Sequence, residues 1–424
     1  MNEHTSAPVQ LVTTPRAGTA SRRPYMMYGL VYLMFMINYG DRAALSVAAP
    51  ALTVEFSLSP SQMGWVLSSF LFTYSVANLP ASILLDRYGV RTVGALSVAL
   101  WSVAMILGGA AGTLTFLFVT RMLLGLGEAP TYSLSNKVVR IWAPPARRGI
   151  ILTILATGMH MGLATAALVG TWMITRVGWR GEFYLLGMIG LTFSLAVALL
   201  YRERPGSKDS ASVSLQELPS ILVVLKSRSF YSVVVAQCCG NYIGYLLISW
   251  LPSFLIQSQK LNLLESGRAT ALCFGIASLI AITLTAAADR LGRKVGKTSR
   301  TRPFVAALLF LCGTSVALVP LVHGYSALIV LVAGILACSI AGCANIAAFY
   351  SDLLIDGRRM GAVSGMIITF VNIFGIAAPV LTGYIVGWTG SFDKAFYFAA
   401  ALLVVAALSL SAVKHEPFDQ VQRI

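Results

Sequence analysis

"DRYGVR", residues 86–91, returns as "DRLGRK", residues 289–294. The two stretches begin 203 positions apart (289 − 86), close to half of the 424-residue chain. A second pair keeps a similar offset: "ARRG" at 146–149 and "GRRMG" at 357–361. Repetition at one period is the mark of an internal duplication, so the chain reads as two copies of one unit. Between the copies lies "YRERPGSKDSASVSLQELP", residues 201–219, a polar stretch with Pro, Gly and Ser.

Working outward from these motifs, the flanking sequence is overwhelmingly apolar. Hydrophobic residues make up 57% of the chain and charged residues only 11%, where an ordinary soluble domain carries about 25% charged residues. The apolar residues fall in twelve runs, the first at roughly 26–50 and the last at 394–413. Each is close to the ~20 residues that span a bilayer as helix. The expected fold class is therefore an all-α integral membrane protein, with twelve transmembrane helices arranged as two six-helix pseudo-repeats. The expected organisation is a disordered cytoplasmic tail (1–24), a six-helix bundle (25–201), a cytoplasmic linker (202–228), a second six-helix bundle (229–413) and a cytoplasmic tail (414–424). The first 24 residues lack the apolar core of a cleavable signal.

The net charge of +15 does not indicate a nucleic-acid partner, because it is distributed by side. When loops are assigned alternately, Arg176, Arg180, Lys260, Arg268 and Lys394 fall on one side and Arg42 and Arg121 fall inside runs. All other Lys and Arg fall on the side of the tails, linker and repeated motifs. Such an excess marks the cytoplasmic face, so the chain is expected to be a multi-pass protein of the cell (inner) membrane with both termini cytoplasmic. The six cysteines lie in apolar runs without CxxC or paired-histidine spacing, which suggests neither a disulfide framework nor a metal site. No nucleophile motif or phosphate loop points to an enzyme, so none is expected, nor is a cofactor.

Charges inside the runs carry the chemistry. Among sixteen acidic residues only Asp41 and Glu128 lie well inside a run, and Arg42 and Arg121 are their basic counterparts. Intramembrane charges are costly and mark transport pathways. Arg121 and Glu128, seven apart, share a helix face at heights about 10 Å apart, while Asp41 and Arg42 project about 100° apart. Arginine offers a fork that matches a carboxylate, and a carboxyl group in a low-dielectric cavity can exchange a proton near neutral pH. Arg42 and Arg121 are thus candidate anion contacts, and Asp41 and Glu128 candidate proton carriers. Tyr39 extends the polar face beside Arg42. Tyr245, Asn345 and Asn372 are polar groups in the second half that can face the same cavity.

Twelve runs, a central linker and D-R-x-G-x-[RK] after runs two and eight resemble the major facilitator superfamily. The finer resemblance is to its anion:cation symporter branch, which includes bacterial galactonate, hexuronate and phthalate-type permeases. It rests on "NYGDRAALSVA" (38–48), "FTYSVANLP" (72–80), "RMLLGLGEAPTYSLSNKVVRIWAPPARRG" (121–149), "WLPSFL" (250–255) and "SGMIITFVNIFGIAAPVLTGYI" (364–385). The resemblance implies a proton-driven symporter of an organic acid anion, working by alternating access as a monomer, with an antiporter, a facilitator or a transporter-like sensor as alternatives. It implies proton coupling at Asp41 and Glu128 and substrate contact at Arg42, Arg121 and Tyr74, with Tyr39 and Asn136 as neighbours. It also implies gating by Asp86, Arg87, Arg91, Asp289 and Arg290, in ion pairs between the halves that hold the outward-facing state. "TGMHMG" (157–162) places Met159 and His160 where the sugar-acid permeases tend to place a hydroxyl-binding glutamine, which makes an aromatic or smaller acid a plausible substrate beside a sugar acid. Gly89 and Gly292 are expected to form the tight turns of the two repeated motifs.

Overall fold

The structure, a computed structural model, describes residues 23–144, 147–203, 224, 227–295, 298–352 and 360–413. Residues 1–22 of the expected N-terminal tail, the C-terminal tail and most of the central linker lie outside the described residues, while Arg23 and Pro24, expected in the tail, already belong to the first helix. Among the described residues the chain is helical and contains no strand. The first half comprises α1 (Arg23–Glu55), α2 (Pro60–Gly109), α3 (Leu114–Glu128), α4 (Thr131–Trp142) and α5 (Arg148–Leu200). The second comprises α6 (Arg228–Gln257), α7 (Leu263–Val295), α8 (Thr298–Gly313, continued by a 3-10 segment Thr314–Leu321), α9 (Tyr325–Asp352), α10 (Met360–Thr389) and α11 (Asp393–Ser411).

These elements yield six passes in each half. Eight helices are by themselves long and apolar enough to cross a membrane. Two of the eight, α2 and α5, are hairpins that supply two passes each. Their turns sit at Gly89 (φ 85°) and Gly178 (φ 72°), a region of backbone space that glycine enters at little cost. The remaining two passes are α1 and the broken pair α3–α4. The repeated motif does not turn identically in the two copies. Gly89 makes the turn in "DRYGVR", but Gly292 is buried and lies within α7, which continues to Val295. The second motif therefore stays helical past its glycine.

The break between α3 and α4 falls at Ala129–Pro130. Proline has no N–H to donate to the preceding turn, so α3 ends at Glu128 in the middle of its pass. Asn78 Nδ2 donates to the Ala129 carbonyl at 3.2 Å and so satisfies one acceptor at the break. Helices here approach closely through small residues, as is usual for membrane bundles. A side chain at Gly125 would run into the Phe70 carbonyl, and one at Gly162 into the Met36 carbonyl. The first contact sets α3 against α2, the second α5 against α1.

The described hydrogen bonds between the halves cluster away from the repeated motifs. Ser46 Oγ donates to the Ser249 carbonyl at 2.8 Å, Ser68 Oγ to the Ile376 carbonyl at 2.9 Å, and Trp65 Nε1 lies 3.5 Å from Tyr384 Oη. At Gly64 and Gly383, backbone of α2 and α10 comes too close to admit a β-carbon. The two bundles thus close on each other at the end opposite the motif loops, called the far end below.

Candidate functional site

The intramembrane charges of the first half meet where α1, α2, α3 and α5 pack together. The helix break places Glu128 at the last position of α3, fully buried. Arg42 reaches it from α1: Nε and Nη2 each lie 2.8 Å from the same oxygen, Glu128 Oε2. The other oxygen, Oε1, has no hydrogen-bond partner. The Arg42 guanidinium also stands over three rings, at 4.5 Å from the centroid of Tyr39, 4.8 Å from Phe70 and 5.1 Å from Tyr74. Such stacking contributes about 0.5–2 kcal/mol per contact, more as water is excluded. The Arg42 side chain retains 8% exposure.

Tyr132 of α4 completes one wall. Its hydroxyl lies 3.0 Å from that of Tyr39 and 2.8 Å from Met159 Sδ of α5. Across the box, Tyr245 of α6 is within electrostatic reach of Arg42, Tyr39 and Tyr74, and its ring packs against Gly375 of α10. The box is therefore lined from both halves, with one cation and one carboxylate among aromatic rings.

Arg42 pairs with Glu128, whereas Asp41, its neighbour, forms no ion pair among the described residues and lies within electrostatic reach of Glu128, Arg121 and Arg42. Arg121 is 1% exposed. Among the described residues no carboxylate lies within ion-pair distance of it. Its Nη2 instead donates to Met105 Sδ at 3.2 Å, and the guanidinium stacks 4.6 Å from the centroid of Phe183. Asp41 is equally buried, and its Oδ1 has no hydrogen-bond partner. Arg121 thus stands apart from the aromatic box, one layer closer to the far end.

The structure brings Tyr39, Asp41, Arg42, Tyr74, Arg121, Glu128 and Tyr245 into this region. Asn136 is exposed on α4, and Asn372 is buried in α10. Asn345 is buried with its amide donating to its own helix, at the Ala341 carbonyl (2.8 Å). His160 is half-buried on α5, one residue beyond Met159. Sequence reasoning passed over Tyr132 and also Glu182, which it placed at the end of a run. Glu182 is 0% exposed and shares electrostatic surroundings with Arg121 and Asp41.

At the motif loops, the described pairs stay within one half. Asp86 Oδ1 pairs with Lys137 Nζ at 2.8 Å. Arg91 donates through Nε to the Ala198 carbonyl (2.6 Å) and through its backbone N–H to Glu203 (2.9 Å). Asp289 lies 3.4 Å from Arg302, which also pairs with Asp352 at 2.6 Å. Arg87 and Arg290 are exposed.

The family model described as Major Facilitator Superfamily matches residues 31–375. The chain belongs to this superfamily. Curated relatives of this superfamily member span nearly its whole length. One from Escherichia coli K12, named "Probable galactarate/D-glucarate transporter", is 28% identical over 434 residues, 93% of this chain and 94% of the relative. A "Probable sulfoacetate transporter" from Cupriavidus necator is 28% identical, covering 91% and 92%. A "Hexuronate transporter" from Bacillus subtilis is 27% identical, covering 90% and 92%. Family and relatives are transporters rather than enzymes, and the relatives carry organic acids. Among solved structures, a bacterial homologue of the human lysosomal transporter Spinster superposes with a TM-score of 0.75 at 18% identity. It covers 96% of this chain and 100% of its own, which supports the major facilitator fold.

Proposed function

We propose that this superfamily member is a proton-coupled symporter that imports an organic acid anion by alternating access. The observation that carries this reading is the Arg42–Glu128 pair inside an aromatic box lined from both halves. An incoming carboxylate and the Glu128 carboxylate compete for one guanidinium. When the substrate takes Arg42, Glu128 loses its counter-charge, and an uncompensated buried carboxylate takes up a proton. Substrate and proton then travel together, because each favours the other's binding. Asp41, buried beside Arg42 and within electrostatic reach of Arg121, is a second carboxyl for the same exchange.

Charge asymmetry orients the molecule with both termini and the motif loops toward the cytoplasm of the cell (inner) membrane. With the halves joined at the far end, we read the box as facing the cytoplasm, the state in which substrate and proton are released. The gating residues Asp86, Arg87, Arg91, Asp289 and Arg290 would exchange their present partners when the halves rock to close the cytoplasmic side. The energy source is the proton gradient, no cofactor takes part, and the monomer is the working unit. The relatives named for sugar diacids, hexuronates and sulfoacetate support an anionic substrate. The rings of Tyr39, Phe70, Tyr74, Tyr132 and Tyr245 suit a flat or aromatic acid as well as the apolar face of a sugar acid.

A thermal-shift screen of the purified protein against sugar acids, aromatic acids and small dicarboxylates tests the substrate class. Vesicle uptake with and without a pH gradient then tests coupling. Accumulation that depends on the gradient is the expected result. Uptake that equilibrates regardless of pH would mean a facilitator, and uptake that requires a counter-anion an antiporter.

A further inference from the structure

Among the described residues, Glu182 is the one fully buried carboxyl that the exchange at Arg42 does not use. It lies four residues past the Gly178 turn, at the start of the second arm of α5. Both of its oxygens lack a hydrogen-bond partner among the described residues, and it is 0% exposed. A side chain at Gly170 would run into Glu182 Oε1, so that glycine leaves the space the carboxyl occupies. The next residue, Phe183, is the ring on which Arg121 stacks. Gly108 of α2 admits both: a β-carbon there would lie 3.0 Å from Arg121 Nη2 and 3.3 Å from the Phe183 ring.

The surroundings of Glu182 contain few charges. Arg121 from α3 and Asp41 from α1 are the ionisable groups that act on it. Gly170, from the first arm of α5, lies against it and does not titrate, while Met105 and Gly108 of α2 lie against Arg121. Toward the far end the next charges are Glu55 and Arg180, which pair with each other and are partly exposed. Trp179 sits between, donating to Glu55 Oε2 at 2.7 Å with its ring 5.4 Å from that of Phe183.

Heights along the helices order these groups. Glu182 is four residues from the Gly178 turn, Arg121 eight from the Thr113 cap, and Asp41 fourteen from the end of α1 at Glu55. At 1.5 Å per residue these are depths of about 6, 12 and 21 Å from the far end. The three form a descending series from that end to the mid-membrane layer.

We propose that Glu182 is a third proton-carrying carboxyl, an outer station that delivers protons to Asp41 past the Arg121 guanidinium. The proposal rests on the proton-coupled reading above. In the relay, the O–H bond at Glu182 breaks as one forms on a water admitted between the layers, and successive waters hand a proton on until an O–H bond forms at Asp41. The negative charge moves the opposite way, and water on the far side reprotonates Glu182. Arg121, which acts electrostatically on both carboxyls, stays charged and attracts whichever is ionised. This gives the proton an entry separate from the substrate's, through the Glu55–Trp179–Arg180 cluster.

The test is an infrared titration of the full chain in phosphatidylethanolamine–phosphatidylglycerol vesicles, without substrate. Wild type, Glu182→Gln and Asp41→Asn are compared as external pH is stepped. The expected result is a buried-carboxyl stretch that follows pH in wild type, is lost in Glu182→Gln and persists in Asp41→Asn. The same vesicles are then given D-glucarate, sulfoacetate or a hexuronate under a pH gradient and in counterflow. Glu182→Gln should slow gradient-driven uptake about tenfold, equivalent to about 1.4 kcal/mol of barrier, with counterflow unchanged and Glu182→Asp restoring the rate. A Glu182→Gln spectrum that superimposes on wild type overturns the proposal. So does an equal loss of counterflow and driven uptake, which would make the residue structural. Failure of the symport reading looks different: wild type itself would not respond to the pH gradient.

Discussion

Glu128→Gln separates substrate binding from coupling, and the structure sets the size of the effect. Two Arg42 nitrogens converge on Glu128 Oε2 at 2.8 Å, so an incoming anion must first displace charge-assisted hydrogen bonds. Such a bond contributes about 1.5–3 kcal/mol. Glutamine keeps the shape and one acceptor oxygen but removes the charge, so displacement becomes easier by roughly one such bond. At about 1.4 kcal/mol per tenfold, apparent affinity for the anion should rise by tenfold or more. The empty variant should be less stable, because removing one member of a buried pair costs about 3–5 kcal/mol. Residual exposure of Arg42 puts the expected cost at the low end of that range. Bound anion restores the partner, so the ligand-induced thermal shift should exceed that of wild type. Isothermal titration across pH reads the affinity, and vesicle uptake reads the coupling. The variant should bind independently of pH near neutrality, exchange substrate in counterflow and fail to accumulate it under a gradient. Weaker binding than wild type, or an unchanged pH dependence, would refute competition between substrate and Glu128 for Arg42.

Other perturbations probe neighbouring parts of the argument. Arg42→Lys should transport poorly, since a point charge replaces neither the fork nor the stacking on three rings; uptake near wild-type level would remove Arg42 from the site. Asp41→Asn should lose pH-driven accumulation while retaining counterflow, as read in the same vesicles. Asp86→Asn removes the partner of Lys137 and should slow turnover without weakening equilibrium binding; a binding loss as large as that of an arginine variant would contradict a gating role. Gly125→Ala forces a methyl group against the Phe70 carbonyl and should destabilise the fold by about 1–3 kcal/mol. Gly29→Ala, where nothing lies within 4 Å, is its control in thermal unfolding.

The repeated motif and the length of the apolar runs make the fold legible, because both depend only on spacing along the chain. Asp41, Arg42, Arg121 and Glu128 are likewise legible, as charges in runs that otherwise have none. Their pairing is not. Two neighbours on a helix diverge by about 100°, and which partner each meets depends on where α3 and α5 stand around α1. The spacing of Arg121 and Glu128 puts both on one face of α3, which is unbroken from Leu114 to Glu128; the difference in height between them gives Glu128 to Arg42 and leaves Arg121 to Phe183. Glu182 was obscured by the hidden turn at Gly178. Counted along the run it is a terminal residue; folded back along the hairpin it lies beside Gly170, deep enough to be dry. A glycine eight residues before the turn, opposite an acid four residues after it, was the signal available in the sequence. Tyr132 was masked in the same way by the proline two residues before it.

The far-end contacts between the halves have a consequence for how the transporter responds to its medium. Ser46 to the Ser249 carbonyl and Ser68 to the Ile376 carbonyl are hydrogen bonds between neutral groups, and the approaches of α2 to α10 at Gly64 and Gly383 are uncharged backbone packing. Each such hydrogen bond contributes about 1 kcal/mol, and neutral groups are not screened by dissolved ions as exposed charges are. The opposite end of the bundle carries its repeated motifs as exposed or partly exposed charges. Raising ionic strength should therefore leave the far-end latch intact while weakening closure at the motif loops, so salt acts on only one of the two gates. A conformational reporter across Ser68 and Ile376 should stay in contact as salt increases, and the fraction of molecules open toward the motif loops should grow.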